Sequence, residues 1–185
     1  MELKEKIIDT VIELFNEKGL KFTMDDVAKR IGISKRTIYT VVEDKEALFI
    51  DTVNTVFDSI KRSEKEILEE EQEILTKLKR LLIILPERYK ALNFKQLYAL
   101  KEKYPNIYSR IEDRLETDWD GTFRLMEQAM EEGKIRRINL SVFQAVFTGT
   151  IEFYLSRPVL TEEGMSYHDA LEQMLDILID GIRIK

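Results

Sequence analysis

The sequence contains no cysteine, and it has only three prolines and seven glycines among its 185 residues. Without cysteine the chain forms no disulfide framework, no thiolate nucleophile and no cysteine-ligated zinc site. The scarcity of proline and glycine leaves few helix breakers, while the helix formers Leu, Ile, Glu and Lys dominate the composition. We therefore predict an all-α protein.

Long apolar runs are also lacking. The longest strongly apolar run is LLIIL, residues 81–85, far shorter than the roughly 20 residues that cross a bilayer. The N-terminal stretch MELKEKIIDTVIELF is charged throughout and lacks the apolar centre of a signal peptide. We expect a cytoplasmic protein with no membrane partner.

Recognisable catalytic or metal-binding patterns are missing from the sequence. The single histidine, His168, has no second histidine to share a metal, and Met165 stands where a Glu-x-x-His pattern requires Glu. Neither a glycine-rich phosphate loop nor a nucleophile elbow occurs, and the acidic run at 69–73 is typical of a solvated helix face. We predict no catalytic residue, no metal and no cofactor. A helical-bundle enzyme or carrier remains an alternative only if pairs of carboxylates that the sequence pattern does not reveal come together in the fold.

The distribution of charge is uneven. A net charge of -6 argues against nonspecific coating of nucleic acid, because phosphate binding depends on Lys and Arg. Residues 29–45, however, contain five basic and two acidic side chains, a local excess of +3. A basic segment within an acidic chain indicates a candidate DNA-binding face.

The same segment has the pattern of a helix-turn-helix. Thr23 and Asp26 have the spacing of a capping box, which predicts a helix beginning near Met24. Gly32 interrupts that helix, and Ser34 is the next N-cap candidate, so a third helix is predicted over 35–41. Two short helices joined by a tight turn form the motif whose second helix enters the major groove of DNA.

The rest of the sequence reads as further helices. Apolar residues at helical spacing predict a first helix over 3–15 that ends at Gly19 and a fourth that follows Asp44 and continues through Ile60. The remaining predicted helices cover 67–85, 94–103, one long helix over 107–133, a helix opening at 139–141, and 167–184.

Residues 23–49, TMDDVAKRIGISKRTIYTVVEDKEALF, together with ELFNEKG at 13–19, resemble the N-terminal signature of the TetR/AcrR family of bacterial transcriptional regulators. The similarity runs without a gap over about 7–49 and keeps the order Thr-x-x-x-(Val/Ile)-Ala, Gly-(Val/Ile)-Ser, Thr-(Leu/Ile)-Tyr and Lys-Glu-x-Leu. Val41 and Val42 depart from it, since the family more often has an aromatic pair there. The resemblance implies a three-helix DNA-binding domain over 1–48 and a larger helical-bundle domain for ligand binding and dimerisation over 49–185.

The motif and the resemblance together give a set of candidate DNA-binding residues: Thr23, Ser34, Lys35, Arg36, Thr37, Tyr39, Thr40 and Lys45. In this interpretation Thr23 caps the second helix and reaches a phosphate, Lys45 contacts a phosphate from the start of the fourth helix, and Arg36 reads a guanine through two hydrogen bonds. The alternative is that 23–49 is a helical hairpin whose basic face is merely solvated.

For the C-terminal part, the resemblance implies an enclosed ligand cavity and a four-helix dimer interface formed by the last two helices. The candidate cavity residues, which also fit an ordinary core, are Phe57, Tyr98, Trp119, Phe123, Met126, Phe147, Ile151 and Tyr154. The last two helices are apolar on more than one side, as expected of helices that are buried on two sides. The candidate interface residues are Val142, Val146, Gly149, Phe153, Leu171, Leu175, Leu178 and Ile182.

We therefore expect a ligand-responsive transcriptional regulator, a repressor that binds double-stranded DNA at an inverted-repeat operator as a homodimer. An apolar or aromatic small molecule would act as the effector by moving the fourth helix. The alternatives are an activator, a regulator without a small-molecule ligand, and a helical-bundle enzyme or carrier whose N-terminal motif is structural. Salt- and sequence-dependent DNA affinity distinguishes the regulators from the last class.

Overall fold

A computed structural model describes residues 2–86, 98–156 and 164–184, with the side chains of Tyr98 and Ser156 outside the description. Within these ranges the chain forms helices joined by turns and contains no β-strand, only an isolated antiparallel bridge between Ile135 and Arg183. The prediction of an all-α protein is confirmed.

The described helices are α1 Leu3–Lys18, α2 Met24–Ile31, α3 Lys35–Ile38, α4 Lys45–Glu69, α5 Ile74–Ile83, α6 Tyr98–Lys103, α7 Pro105–Glu116, α8 Asp120–Glu131, α9 Leu140–Ser156 and α10 Tyr167–Ile182. A short 3-10 turn, Gly19–Lys21, follows α1.

The three N-terminal helices and the start of α4 pack around one apolar centre. α1 packs against α2 and α4, and the side chains of Ile7, Val27 and Ile38 are fully buried there. Ion pairs support the packing of α2 on α1 from the outside, with Arg30 Nη2 2.7 Å from a Glu17 carboxylate oxygen. The burial of one apolar stripe from each helix holds the helix-turn-helix in shape.

Two clusters of buried side chains make up the core. The first begins in the N-terminal helices and continues without interruption into α6, α7, α9 and α10. The second joins α5 and α8 to the ends of α9 and α10. The predicted domain boundary at 48/49 falls inside α4, whose Leu48 and Phe49 belong to the first cluster; the division into 1–48 and 49–185 stays a prediction.

The predicted helix over 67–85 is wrong at its start. Residues 67–69 are the last turn of α4, and the acidic residues that follow link α4 to α5. Glu73 caps α5, its carboxylate accepting a hydrogen bond from the Thr76 amide at 2.8 Å, while Glu70 pairs with Arg80. The Glu73 cap is a local signal that the sequence interpretation missed, because the apolar periodicity continued through the link.

The predicted long helix over 107–133 is two helices, α7 and α8. Thr117 is extended, and Asp118 has a positive φ of 62°, a conformation that Asp tolerates better than most residues. Lys61 of α4 donates a hydrogen bond to the Asp118 carbonyl at 3.0 Å. The break therefore depends on a tertiary contact.

Two further boundaries differ from the prediction. α3 ends at Ile38 rather than at 41, because the amides of Thr40 and Val41 bond three residues back, to Thr37 and Ile38, in a tighter turn. The predicted helix over 94–103 is described only from Tyr98 onwards.

Candidate nucleic-acid interface and ligand cavity

The capping box predicted at the start of α2 is present. The Thr23 hydroxyl accepts a hydrogen bond from the Asp26 amide at 3.2 Å, and the Asp26 carboxylate accepts one from the Thr23 amide at 2.8 Å. Lys18 also donates to this carboxylate, at 2.7 Å. The bond from Lys18, followed by those from Thr23, lowers the pKa of Asp26 to about 2. Thr23 thus fixes the start of the motif, and its contact with a phosphate stays a prediction.

The turn between α2 and α3 sets the direction of α3. Gly32 lies in the left-handed region, with φ 77° and ψ 33°, and its amide donates to the Ala28 carbonyl at 3.0 Å. Ser34 then caps α3, its hydroxyl accepting from the Thr37 amide at 3.1 Å. Because Ile38 is fully buried, the opposite side of α3 faces solvent.

The exposed side of α3 carries the predicted polar residues. Lys35, Arg36, Tyr39 and Thr40 are exposed. Lys35 pairs with Asp25 at 3.0 Å, and this hydrogen bond raises the pKa of Lys35; both side chains are well exposed, so water and salt weaken the pair.

Arg36 differs from Lys35 because no described residue forms a hydrogen bond or ion pair with it. The hydroxyls of Thr37 and Thr40 have local partners: Thr37 Oγ1 lies 2.8 Å from Ser34 Oγ, and Thr40 donates to the Thr37 carbonyl at 2.7 Å. Arg36 on α3 and Tyr39 directly after it are therefore the side chains best placed to meet a nucleic acid.

The Lys45 side chain, predicted to contact a phosphate, is bonded to carbonyls of the protein itself. Its ammonium donates hydrogen bonds to the carbonyls of Leu20, at 3.0 Å, and Phe22, and lies 4.2 Å from the centre of the Phe22 ring. Burial, with a contribution from Lys103, lowers the pKa of Lys45. In this arrangement Lys45 ties α4 to the turn after α1, and a phosphate contact would require its side chain to leave these carbonyls.

An apolar cavity of about 220 Å³ lies between the N-terminal helices and the rest of the chain. Four predicted residues line it: Phe57, Trp119, Phe147 and Ile151. The sequence interpretation missed the contribution of α1, which lines the cavity with Val11, Ile12 and Phe15. The signal was available in the two-sided apolar pattern of α1.

Three other predicted cavity residues lie elsewhere. Met126 is fully buried in the second core cluster. Phe123 packs against Trp119, with ring centres 5.8 Å apart, and Tyr154 packs against Phe153; neither lines the cavity. The side chain of Tyr98 lies outside the described part of the structure.

Charged groups lie at the edge of the cavity. Lys61 pairs with Glu64 at 2.8 Å, and burial raises the pKa of Glu64. Arg114 donates from Nη2 to Asp58 at 2.8 Å and stacks over the Phe57 ring, 5.4 Å from its centre. The Arg114 Nε is buried and has no hydrogen-bond partner among the described residues.

The outward side of α9 carries several exposed apolar side chains, whereas the outward side of α10 is mainly polar and acidic. On α9, Val142 is 60% exposed, and Val146, Gly149 and Phe153 share its side of the helix. These are the residues predicted for the dimer interface on this helix. On α10 the most exposed apolar side chain is Ile177, at 74%.

The prediction for α10 needs correction. Leu171, Leu175 and Ile182 are buried inside the protomer, and Leu178 is half-buried. α10 packs against α5, so its larger apolar stripe serves the protomer's own core. The solvent-facing side of α10 contains Ile177 and Gly181 together with the acidic Asp176 and Asp180.

The described residues offer little else that suggests chemistry. His168 is exposed and lies 3.5 Å from Glu172. Within these residues no group of three His, Cys, Asp or Glu side chains is placed to hold a metal ion. In the same part of the chain, no helix has both the length and the apolar character needed to span a bilayer.

A capped helix-turn-helix with an exposed polar face, joined to a helical bundle with an apolar cavity, defines the class of ligand-binding transcriptional regulators. Residues 7–52 match the family described as bacterial regulatory proteins, tetR family. The chain is 28% identical over 181 residues to the HTH-type transcriptional regulator YvaF of Bacillus subtilis (strain 168), covering 97% of this chain and 95% of YvaF. It is 40% identical over 57 residues to IcaR of Staphylococcus aureus (strain Newman), the biofilm operon icaADBC HTH-type negative transcriptional regulator, covering 30% of this chain and 31% of IcaR.

Solved structures share the fold over the whole chain. The fatty acid degradation regulator FadR from Bacillus halodurans has a TM-score of 0.71 at 18% identity, covering 100% of this chain and 99% of that chain. The transcriptional regulator FadR from Bacillus subtilis in complex with stearoyl-CoA has a TM-score of 0.63 at 19% identity, covering 97% of this chain and 99% of the other. The chain is a DNA-binding transcriptional regulator, and its residues 7–52 match the TetR family. The alternative of a helical-bundle enzyme or carrier is set aside.

Proposed function

We propose that the protein is a repressor that binds an inverted-repeat operator as a homodimer and releases it when an apolar small molecule occupies the cavity. The observation that carries the DNA-binding part is the exposed side of α3. Arg36 extends from a helix whose buried Ile38 and capping Ser34 fix its direction, and Tyr39 follows directly after that helix. A side chain held on a fixed helix can read base edges in the major groove.

The dimer is supported by a row of exposed apolar side chains on α9 and by Ile177, which is exposed on α10 among polar and acidic neighbours. Val142, Val146 and Phe153 on α9, with Ile177 on α10, are exposed in the single chain. Contiguous exposed apolar side chains mark interaction surfaces. A two-fold pairing of these helices would place two copies of α3 on the two halves of a palindromic site.

The effector part is supported by the composition of the cavity. α1 and α4 contribute Phe15 and Phe49 to its wall, and the Phe49 ring packs on Phe22, just before α2, with centres 5.3 Å apart. A ligand that binds better to a cavity widened between these helices would shift the population towards a form in which the helix-turn-helix has moved. The spacing of the two α3 helices would then no longer fit the operator.

Repression and ligand binding both have precedents among the similar proteins. IcaR is a negative transcriptional regulator, and the FadR of Bacillus subtilis was solved with stearoyl-CoA. We infer repression for this chain from the first, and from the second, together with the cavity described above, an effector with a hydrocarbon part.

Run-off transcription tests the proposal. A duplex selected by the purified protein from random sequences is placed across a promoter, and transcript is measured with increasing protein. We expect transcript to fall with wild-type protein and to remain unchanged with Arg36→Ala. A rise in transcript with wild-type protein would identify an activator, and no change would contradict promoter control through this site.

A further inference from the structure

The end of α6 lies against the first turn of α4. The Tyr104 ring, directly after α6, packs on the Phe49 ring with centres 5.8 Å apart. Two residues further on, the side-chain amide of Asn106 donates a hydrogen bond to the Glu46 carboxylate at 2.8 Å. These two contacts place Lys103, the last residue of α6, close to the start of α4.

Lys103 and Lys45 are neighbouring cations at this place. Lys103 is exposed, and its ammonium lies 5.6 Å from the centre of the Tyr104 ring, while no described residue forms a hydrogen bond or ion pair with it. Burial, and then the positive charge of Lys103, lowers the pKa of Lys45. The Asp26 carboxylate, which acts on Lys45 in the opposite direction, is already engaged in the capping box of α2. An anion close to both ammonium groups would therefore be stabilised.

The two cations lie beside the start of α2, where the motif is expected to meet the DNA backbone. Lys45 bonds to the Phe22 carbonyl, and Phe22 directly precedes Thr23, the N-cap of α2. When α3 lies in the major groove, the first helix of the motif crosses the backbone, and the amides at its N-terminus favour a phosphate. Lys45 is held by the carbonyls of Leu20 and Phe22, whereas Lys103 has no such bond within the described residues. Lys103 is therefore the cation of this pair that can reach a phosphate without breaking a hydrogen bond.

We propose that Lys103, which lies outside the helix-turn-helix, contacts a backbone phosphate of the operator beside the start of α2. The contact adds affinity without reading sequence, because a phosphate carries no sequence information directly. It takes the place of the phosphate contact predicted for Lys45. Leu100 and Ile107, on either side of Lys103 in sequence, line the cavity, so the DNA contact and the proposed ligand site share the junction of α6 and α7. The assignment goes beyond the proposed function and rests only on the docking of α3 in the major groove.

The salt dependence of DNA binding by the full-length protein tests this contact. Each neutralised phosphate adds about 0.9 to the slope of log affinity against log salt. Between about 50 and 200 mM salt, wild type should therefore lose about 3.5-fold more affinity than Lys103→Gln. This difference should be the same on the selected operator and on a scrambled duplex. Lys103→Arg, which keeps the charge, should match wild type.

Lys65→Gln is the matched control. Lys65 is exposed and lies about 30 Å along α4 from Lys45 at the helical rise per residue. The variant removes the same charge from the chain, so any effect of net charge alone would appear in it as well. Its salt dependence should equal that of wild type, and circular dichroism checks that both variants keep their helical content.

The position of residue 103 is tested separately by cross-linking. Because the chain has no cysteine, a single introduced thiol can be labelled without side products from other thiols. Lys103→Cys carrying a photoactivated azidophenacyl group should become attached to operator DNA on irradiation. Lys65→Cys carrying the same group should not.

Three results would overturn the assignment. They are an unchanged salt dependence in Lys103→Gln, a loss of affinity confined to the operator duplex, which would make Lys103 a base contact, and the absence of a cross-link from position 103. Operator binding by wild type is measured in parallel. Its failure would contradict the docking of α3 on DNA, whereas a negative result at Lys103 alone would leave that docking and the proposed function standing.

Discussion

Two cations of the helix-turn-helix have different surroundings, and these decide what each can do. Arg36 is exposed and unpaired within the described residues, so it can meet a base without breaking a contact. Lys45 is half-buried between the Phe22 carbonyl and ring, where it stabilises the junction of α4 with the turn after α1. Both are basic residues of one motif, and their different packing leads us to expect base contact from Arg36 and a structural contribution from Lys45.

Replacing Arg36 by Ala should weaken binding to the selected operator by about 1 to 3 kcal/mol and relax the preference at one base position, because a bidentate contact to guanine is lost. Fluorescence anisotropy with operator duplexes that vary at each position measures both effects. Arg137→Ala, which removes the same charge from the segment before α9, is the control. Equal weakening on operator and scrambled duplexes would reassign Arg36 to phosphate binding.

The capping box leads us to expect that the stability of the protein depends on pH through Asp26. The pKa of Asp26 is about 2 in the folded protein, below its ordinary 3.8. A carboxyl group whose pKa is lower in the folded than in the unfolded protein stabilises the fold when the pH is above the unfolded-state pKa. This stabilisation is lost as the pH falls through the folded-state pKa. The urea midpoint of wild type should therefore exceed that of Asp26→Asn at pH 6, and the two should converge between about pH 4 and pH 2.

Asp25→Asn is the control for this comparison, because Asp25 carries the same charge one position earlier but does not cap α2. Its midpoint should differ little from wild type at pH 6. A constant difference between wild type and Asp26→Asn from pH 6 to pH 2 would mean that Asp26 does not contribute through its charge.

At the scale of helices, local sequence predicted where α2 and α3 begin but not where α4 and α7 end. The caps at Thr23 and Ser34 and the turn at Gly32 depend on residues at most four positions apart, so they can be recognised in the sequence. The break at Asp118 involves Lys61, 57 residues away, and periodicity alone continued the helix through it. Tertiary contacts overrode helix propensity at that point.

Gly32→Ala should lower the free energy of unfolding by about 1 kcal/mol, since its left-handed backbone disfavours a Cβ atom. An added Cβ would meet no atom within 4 Å, so the cost would be one of conformation rather than of collision. Urea unfolding measures it. Gly32→Asn should lower the free energy of unfolding by less than Gly32→Ala, because Asn adopts the left-handed conformation more readily than Ala. Equal decreases for both variants would point to a cause other than backbone conformation.

At the scale of the whole molecule, the last two helices contribute to the protomer core and also leave apolar side chains exposed, several on α9 and one on α10. The sequence indicated helices apolar on two sides, but it did not show which side of α10 faces inwards. That choice is made by packing on α5, which buries Leu171 and Leu175 and leaves Ile177 outside. The interface residues predicted on α9 are exposed, whereas three of those on α10 are buried within the protomer.

A charge on the outward faces should separate the dimer. We expect Val146→Glu combined with Ile177→Glu to yield a monomer by light scattering, with unchanged helical content and lost operator binding, because two buried carboxylates would oppose each other across the interface. Leu175→Ala is the contrasting variant. It should remain dimeric but lose about 2 to 5 kcal/mol of stability through the cavity left in the core.

If the double variant stays dimeric, the partner surface lies elsewhere on the molecule. If Leu175→Ala becomes monomeric at a temperature where it remains folded, the original assignment of the inner stripe of α10 to the interface would be restored.

The central claim is that α3 reads DNA from each half of a dimer. The most direct measurement is selection of bound sequences from a random duplex pool by the purified full-length protein, repeated with Arg36→Ala and with Tyr39→Ala. The structure predicts an enriched inverted repeat for wild type, with the enrichment lost or relaxed at defined positions in each variant. No enrichment by wild type at low salt, or enrichment of the same sequences by all three proteins, would contradict the claim that this motif reads DNA.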